Sequence, residues 1–198
     1  MEKHSIGIIV GSLRKGSLNR KVALAMCGIA SHKLDCRIIE IGDLAMFDQD
    51  LEASPPEAWI RFRQEVAAVD GILFVTPEYN RTIPGALKNA IDVGSRPYGQ
   101  SVWERKPAAI VSASPGAIGG FGANHNLRQA CVFLDMPVMQ QPEAYLGHVS
   151  DQSFNHDGSL AEGALKGLVE KIANAFADWV HVIHCARASL ARDSAHQG

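Results

Sequence analysis

Apolar residues in this chain fall into five short runs, separated by longer stretches where they recur at helical spacing. The runs cover residues 6–10, 36–41, 72–76, 108–114 and 137–140. Between them, Leu18, Val22, Ala25, Met26 and Ile29 share one helical face, as do Trp59, Phe62, Val66 and Val69. The same spacing joins Leu87, Ala90 and Ile91, then Leu127, Ala130, Cys131 and Leu134. A last, longer stripe runs through Leu165, Leu168, Ile172, Ala175, Phe176, Trp179 and Val182, with Ser159 and Glu162 spaced as a capping box before it. Run 72–76 is apolar without alternation, the mark of a strand buried on both faces of a parallel sheet. Strands alternating with helices imply right-handed crossovers and a doubly wound α/β domain. Five such units predict the order 2-1-3-4-5, with helices on both faces and ligands at the carboxyl ends of strands 1, 3 and 4.

Those three ends are also where the unusual loops lie. The first, Gly11-Ser12-Leu13-Arg14-Lys15-Gly16-Ser17-Leu18-Asn19, joins a strand to a helix start. Unpaired N–H groups and the positive end of the helix dipole favour an anion there. The Ser12 and Ser17 hydroxyls, the Asn19 amide and the Arg14 guanidinium add to that pull. The loop has two glycines at P-loop spacing, but Ser17 stands where the P-loop lysine would be, which argues against triphosphate chemistry. Leu13 replaces the second glycine of the dinucleotide fingerprint, whose Cβ would crowd a pyrophosphate. A terminal phosphomonoester, such as that of FMN, suits the loop better.

The second loop is bracketed by Pro77 and Pro84, and its backbone at Pro77, Glu78, Tyr79 and Asn80 can supply donors to a flat ring. Gly85 is read as room for a close backbone approach, and Glu78 taken alone as a solvated carboxylate. In the third loop Gly116, Gly119, Gly120 and Gly122 are read as room along a ring edge.

Composition narrows the class further. A chain of 198 residues with 46% hydrophobic and 20% charged residues is most simply one folded domain, here residues 1–185, followed by a loose polar tail over 186–198. A net charge of −2 without basic runs argues against nucleic acid, and no stretch is long and apolar enough to insert in a membrane. The four cysteines form no C-x-x-C and no local Cys/His pair at zinc spacing, so no metal site is expected, Cys131 is assigned to the core and the cytoplasm is the expected compartment. No Ser/His/Asp or paired-carboxylate set stands in the loops. His125 and Asn126 read as cap or surface groups.

These loops carry a resemblance. The Gly-Ser-x-Arg-x-x-Ser of the first, the segment PEYNRTIPGALKNAIDVGSRP at 77–97, and SASPGAIGG at 112–120 with the HNLRQACVFLDMPVM that follows resemble the NADPH-dependent FMN reductase family, in its bacterial quinone and chromate reductase branch. The resemblance covers residues 5–147. It implies a flavodoxin-like fold with FMN as cofactor, and NADPH or NADH as the reductant. FMN would carry the hydride and pass two electrons to quinones, chromate or ferricyanide, so no side chain need be catalytic. Carried over residue by residue, Ser12, Arg14, Ser17, Leu18 and Asn19 would hold the phosphate, Pro77, Glu78, Tyr79 and Asn80 the ring, and Ser114 and Gly116 its far edge. Arg81 is not carried over, since it sits where relatives vary; it is read as placing a cation by the ring slot, for anionic substrates. One open ring face serving donor and acceptor in turn implies ping-pong kinetics. The resemblance also implies a homodimer or homotetramer, with Val93, Phe133 and Met136 as candidate contacts. Gly94 departs from the family pattern, in the helix where that contact is expected.

Two rival readings are a non-enzymatic flavodoxin-like electron carrier and a flavin-free dehydrogenase using Glu40 for a ribose. Near-neutral charge argues against the first, and the missing glycine fingerprint against the second.

Overall fold

The computed structural model describes residues 3–195. Its sheet is parallel and five-stranded, in the order β2-β1-β3-β4-β5. The strands are β1 (His4–Val10), β2 (Leu34–Ile38), β3 (Gly71–Thr76), β4 (Ala108–Ala113) and β5 (Tyr145–Leu146). The principal helices are α1 (Leu18–Ala30), α2 (Glu57–Ala67), α3 (Gly85–Ser95), α4 (Phe121–Phe133) and α5 (Ala164–Ala195).

Two hydrophobic clusters explain why β1 and β3 are apolar on both faces. Ile6, Ile8, Leu73 and Val75 pack on one side with Val22 and Met26 of α1 and with Ile172, Phe176 and Val180 of α5. Ile9, Ile72 and Phe74 face the other way, onto Trp59 and Phe62 of α2, Leu87 of α3 and Leu127 of α4. Alternate side chains of a strand point to opposite faces, so each run serves two cores. Because β1 lies between β2 and β3, its carboxyl end is where connections diverge to opposite sides of the sheet.

Four boundaries differ from the sequence reading. The fifth strand is Tyr145–Leu146; the apolar run at 137–140 contributes one isolated bridge, Ala108 to Val138. The second strand begins at Leu34 and ends at Ile38. Ser159 does not cap a helix: its N–H and hydroxyl donate to Asp157 Oδ1 at 2.9 and 2.6 Å, closing a turn, and α5 starts at Ala164. The segment expected to be loose from residue 186 continues α5 to Ala195, while residues 196–198 lie outside the described residues. The buried stripe of α5 does stop early, at Val180; Val182 is exposed. Among the described residues no helix is long and apolar enough to cross a membrane.

Candidate active site

The first loop leaves β1 after Gly11, whose N–H still donates to Val75 O at 2.9 Å. It re-enters regular structure at Ser17, the N-cap of α1, whose hydroxyl accepts from Arg20 N at 3.2 Å. That bond satisfies one donor of the first turn. Among the described residues nothing accepts from the backbone N–H groups of Ser12, Arg14, Leu18 or Asn19. They remain available for an anion.

Asn19 supplies a sharper observation. It is buried, and its Nδ2 donates to Ala113 O at 3.2 Å, tying α1 to the end of β4. Its Oδ1 is buried with no partner. A buried acceptor left unpaired costs about 1–3 kcal/mol, so a donor from a bound molecule would recover that energy.

The second loop is a tight reversal. Tyr79 and Thr82 exchange two backbone bonds of 2.9 and 3.0 Å, and the residues between them, Asn80 and Arg81, have φ of 50° and 66°. Positive φ at both central positions defines a type I′ turn, which Asn tolerates and Arg adopts only under constraint. The constraint is visible. Arg81 Nη1 donates to Glu78 Oε1 at 3.0 Å, and Glu78 Oε2 accepts from Ala123 N at 3.1 Å in the first turn of α4. Thr82 Oγ1 donates to Asn126 Oδ1 at 2.8 Å, one turn further along that helix. Glu78 is therefore a largely buried cap for α4 and not the solvated carboxylate expected; only 12% of its side chain is exposed.

Packing also reassigns the glycines. A Cβ on Gly122 would lie 2.8 Å from Arg81 O, and one on Gly119 would lie 2.6 Å from the Tyr145 carbonyl carbon. Gly120 has φ 78° and abuts Ser112. These three let chain segments approach each other, whereas a Cβ on Gly116 would meet only Ser114 Oγ, at an ordinary 3.5 Å. Gly85 meets nothing within 4 Å and simply opens α3. Ser114 Oγ accepts from Gly116 N at 3.0 Å and shapes the third loop.

The three loops meet around a cavity of about 170 Å³. Of the eleven residues predicted to hold the cofactor, nine line it: Ser12, Arg14, Ser17, Leu18, Asn19, Pro77, Glu78, Tyr79 and Ser114. Asn80 and Gly116 do not; Asn80 sits at the turn's tip and Gly116 lies just past Pro115, which does line it. Arg81 is also outside the lining, with its side chain 75% exposed. Ala113, which the sequence reading passed over, contributes backbone to the wall. The volume is below the 300–1,000 Å³ usual for a whole ligand of this size. It has room for the polar phosphate and sugar-alcohol end of FMN, toward which the free loop N–H groups could donate and the orphaned Asn19 Oδ1 could accept.

Other expected features are placed differently. Val93 and Met136, read as subunit contacts, are buried in the chain's own core, whereas Phe133 is 84% exposed. Cys131 is buried in the core as expected, and burial pushes its thiol up to about 12. His125 accompanies Tyr145 (Nε2 to hydroxyl 2.8 Å) under the ring of Phe121, and Asn126 accepts from Thr82. The sequence reading overlooked His181 and Cys185, one helical turn apart with Sγ 3.5 Å from Nε2 and His4 nearby. Among the described residues, no group of three such side chains is arranged to hold a metal ion.

Comparisons with known proteins bear on the family and the fold. Residues 4–151 match the model of the NADPH-dependent FMN reductase family. A quinone reductase of Pseudomonas putida is 56% identical over 178 residues, covering 89% of this chain and 95% of that protein. A 2-hydroxy-1,4-benzoquinone reductase of a Burkholderia species is 41% identical over 88% of this chain and 95% of its own length. Among solved structures, the flavoenzyme NAD(P)H:(acceptor) oxidoreductase FerB of Paracoccus denitrificans superposes with a TM-score of 0.86 at 37% identity, covering 90% of this chain and 97% of that one. The fold is flavodoxin-like, the cofactor is FMN and the reductant is NAD(P)H. With its first, second and third loops all inside the matched segment, the chain belongs to the NADPH-dependent FMN reductase family, in its quinone reductase branch.

Proposed function

We propose that the chain is an NAD(P)H:quinone oxidoreductase that also reduces small oxidants, chromate and ferricyanide among them. The observation that carries this reading is the convergence of nine predicted contact residues, from three separate loops, on one cavity whose wall holds an unpaired buried acceptor at Asn19. The names of the Pseudomonas and Burkholderia relatives support quinones as the acceptor class.

FMN, when bound, supplies hydride acceptance and two-electron transfer. The chain's own part is to bind and orient. Ser12, Arg14, Ser17 and Asn19, with the free N–H groups of the first loop, hold the phosphate end. The turn at 77–80, kept rigid by the Glu78 cap on α4, presents backbone to the ring, with Ser114 and Gly116 at its far edge. No side chain in the lining is arranged as an acid–base pair, and hydride transfer requires none. Donor and acceptor share the open side, so double-reciprocal plots should be parallel.

A homodimer or dimer of dimers goes with this reading, supported by the exposed Tyr98, Val132 and Phe133 near the ends of α3 and α4. The four free cysteines favour a reducing compartment, the cytoplasm.

The test is Arg14→Ala, followed by fluorescence titration with FMN and with riboflavin. FMN binding should weaken by about 1.5–3 kcal/mol, the range of a charge-assisted bond, while riboflavin binding changes little. Equal losses would remove Arg14 from the phosphate site. Absence of flavin from the purified protein and of NAD(P)H oxidation would overturn the function itself.

A further inference from the structure

Two of the four free cysteines meet, and the loops around the cofactor cavity use neither. Cys27 lies in α1, three residues before its end at Ala30, and Cys36 is the middle residue of β2, opposite Ile6 of β1. Leu34, Cys36 and Ile38 alternate with the exposed Asp35 and Arg37, which turns Cys36 to the α1 side of the sheet. There Cys27 and Cys36 line one small cavity with Met26, Leu34, Leu73 and Phe176. Every other residue lining that cavity is apolar, so within it each sulfur has only the other thiol for a polar neighbour.

Their surroundings set these two apart from the other cysteines. Cys131 is sealed in the second core, and Cys185 stands exposed on α5 beside His181. Cys27 and Cys36 are both half-buried, one on the edge strand of the sheet and one on the helix that covers it. A small oxidant can reach them there. The two thiols are also unequal: Cys27 lowers the pKa of Cys36, against burial and the Asp35 charge, while its own is raised. One sulfur is readied as a nucleophile and the other keeps its proton.

We propose that Cys27 and Cys36 form a reversible oxidation site, which a peroxide converts into a disulfide linking α1 to β2. In the first step the Cys36 thiolate attacks a peroxide oxygen. The O–O bond breaks, Cys36 becomes a sulfenic acid, and the departing hydroxide takes up a proton to leave as water. In the second the Cys27 sulfur attacks that of Cys36, the S–O bond breaks, and the hydroxyl leaves as water with the Cys27 proton. Two thiols and one hydrogen peroxide thus give one disulfide and two waters, and a dithiol reverses the change by exchange.

The gain is protection. A sulfenic acid with no thiol beside it goes on to the sulfinic state, which ordinary thiols do not reduce. Cys27 is ten positions beyond Ser17, about 15 Å along the helix, so the bond forms away from the first loop. The proposal does not depend on the reductase reading, and its test needs no turnover.

The test treats the reduced, full chain with hydrogen peroxide, blocks the remaining thiols with iodoacetamide and maps tryptic peptides by mass spectrometry without reduction. Peptides 22–33 and 34–37 should appear as one linked species that dithiothreitol separates. In Cys27→Ser, dimedone should trap Cys36 as its sulfenic acid, and the fraction left irreversibly oxidised after dithiothreitol should rise about tenfold over the parent protein. In Cys36→Ser, Cys27 should react about tenfold more slowly than Cys36 does in Cys27→Ser. The parent protein decides the matter even if neither variant folds. Absence of the linked species at a peroxide level that oxidises Cys185, its appearance only after unfolding in urea, or separate sulfinic acids at Cys27 and Cys36 would each overturn the proposal.

Discussion

Glu78 Oε2 accepts from the backbone N–H of Ala123 at 3.1 Å, which joins the turn that faces the cavity to the first turn of α4. The bond satisfies one of the orphan donors of the helix and places a negative charge at its positive end. It also sets the distance between the second and third loops, because Gly122 is packed against Arg81 O by the same contact.

Glu78→Ala should therefore act on both loops. Stability should fall by about 1.5–3 kcal/mol, the value of a hydrogen bond to a charged group, and FMN should dissociate faster. Glu78→Gln keeps an acceptor for Ala123 but not the charge, and should recover most of the flavin affinity. Urea denaturation with stopped-flow flavin release separates the effects; a Glu78→Ala protein that retained FMN normally would show the cap to be dispensable.

Gly94 gives a prediction that helix propensity alone gets wrong. Replacing Gly by Ala inside a helix ordinarily gains up to about 1 kcal/mol. Here a Cβ would collide with Nε1 and the adjoining ring carbons of Trp103, a fully buried ring whose Nε1 donates to Ile91 O at 3.0 Å. Overpacking of this kind costs about 1–3 kcal/mol, and it would strain the indole's bond as well. Gly94→Ala should lower the urea midpoint. An unchanged or raised midpoint would mean that Trp103 can give way.

That case shows what was legible in the sequence. The departure at Gly94 is plain from the residues, but its reason is a tryptophan nine positions on that reaches back over the helix. The alternation of strand and helix was readable because each strand faces two cores, as Ile8 and Ile9 do in adjacent positions. The fifth strand was misplaced because only Tyr145 and Leu146 pair with β4, too few residues to produce a periodic signal. The loops at the cavity were legible through residue type: hydroxyls, an arginine and prolines at strand ends. Two features were not. Glu78 was read alone because its partner is a backbone N–H forty-five residues away, and Val93 and Met136 look like surface residues until α3 and α4 are packed. The end of α5 continues past its apolar stripe because its small and charged residues still favour helix after burial stops.

Cys27 and Cys36 face each other between α1 and β2, beside Phe176. The neighbouring thiols act on each other: the pairing keeps the proton on Cys27, raising its pKa, and lowers that of Cys36 against the opposing effect of partial burial. As pH rises, Cys36 should become a thiolate before an ordinary thiol does, and Cys27 after. Alkylation followed by mass spectrometry should give a midpoint for Cys36 below that of an ordinary exposed thiol. Cys27→Ala removes the partner thiol and should move that midpoint upward. A midpoint unchanged by Cys27→Ala would mean that Cys27 does not act on Cys36.

Arg81 combines a strained backbone with an exposed charge, and two substitutions separate them. Its φ of 66° is left-handed, its side chain is 75% exposed, and its guanidinium is paired with Glu78 at 3.0 Å. Both Arg81→Ala and Arg81→Gly remove the cation beside the cavity mouth. Only glycine adopts the left-handed conformation freely, so the Gly variant should be more stable than the Ala variant by about 1 kcal/mol. The effect on turnover should instead be the same for both. A unit charge about 8 Å away in a water-like medium is worth about 0.5 kcal/mol, so kcat/KM for chromate or ferricyanide should fall only about two- to threefold. Pairing with Glu78 makes this an upper bound. Neutral quinones should be unaffected, and bound FMN should be retained. The salt dependence of the anionic acceptors should shrink in both variants, since a cation's attraction is screened over about 10 Å at 0.1 M salt. Equal losses for charged and neutral acceptors would show that Arg81 shapes the turn and does not steer the substrate. A difference in turnover between the Gly and Ala variants would show the same, because the two differ in backbone strain and not in charge.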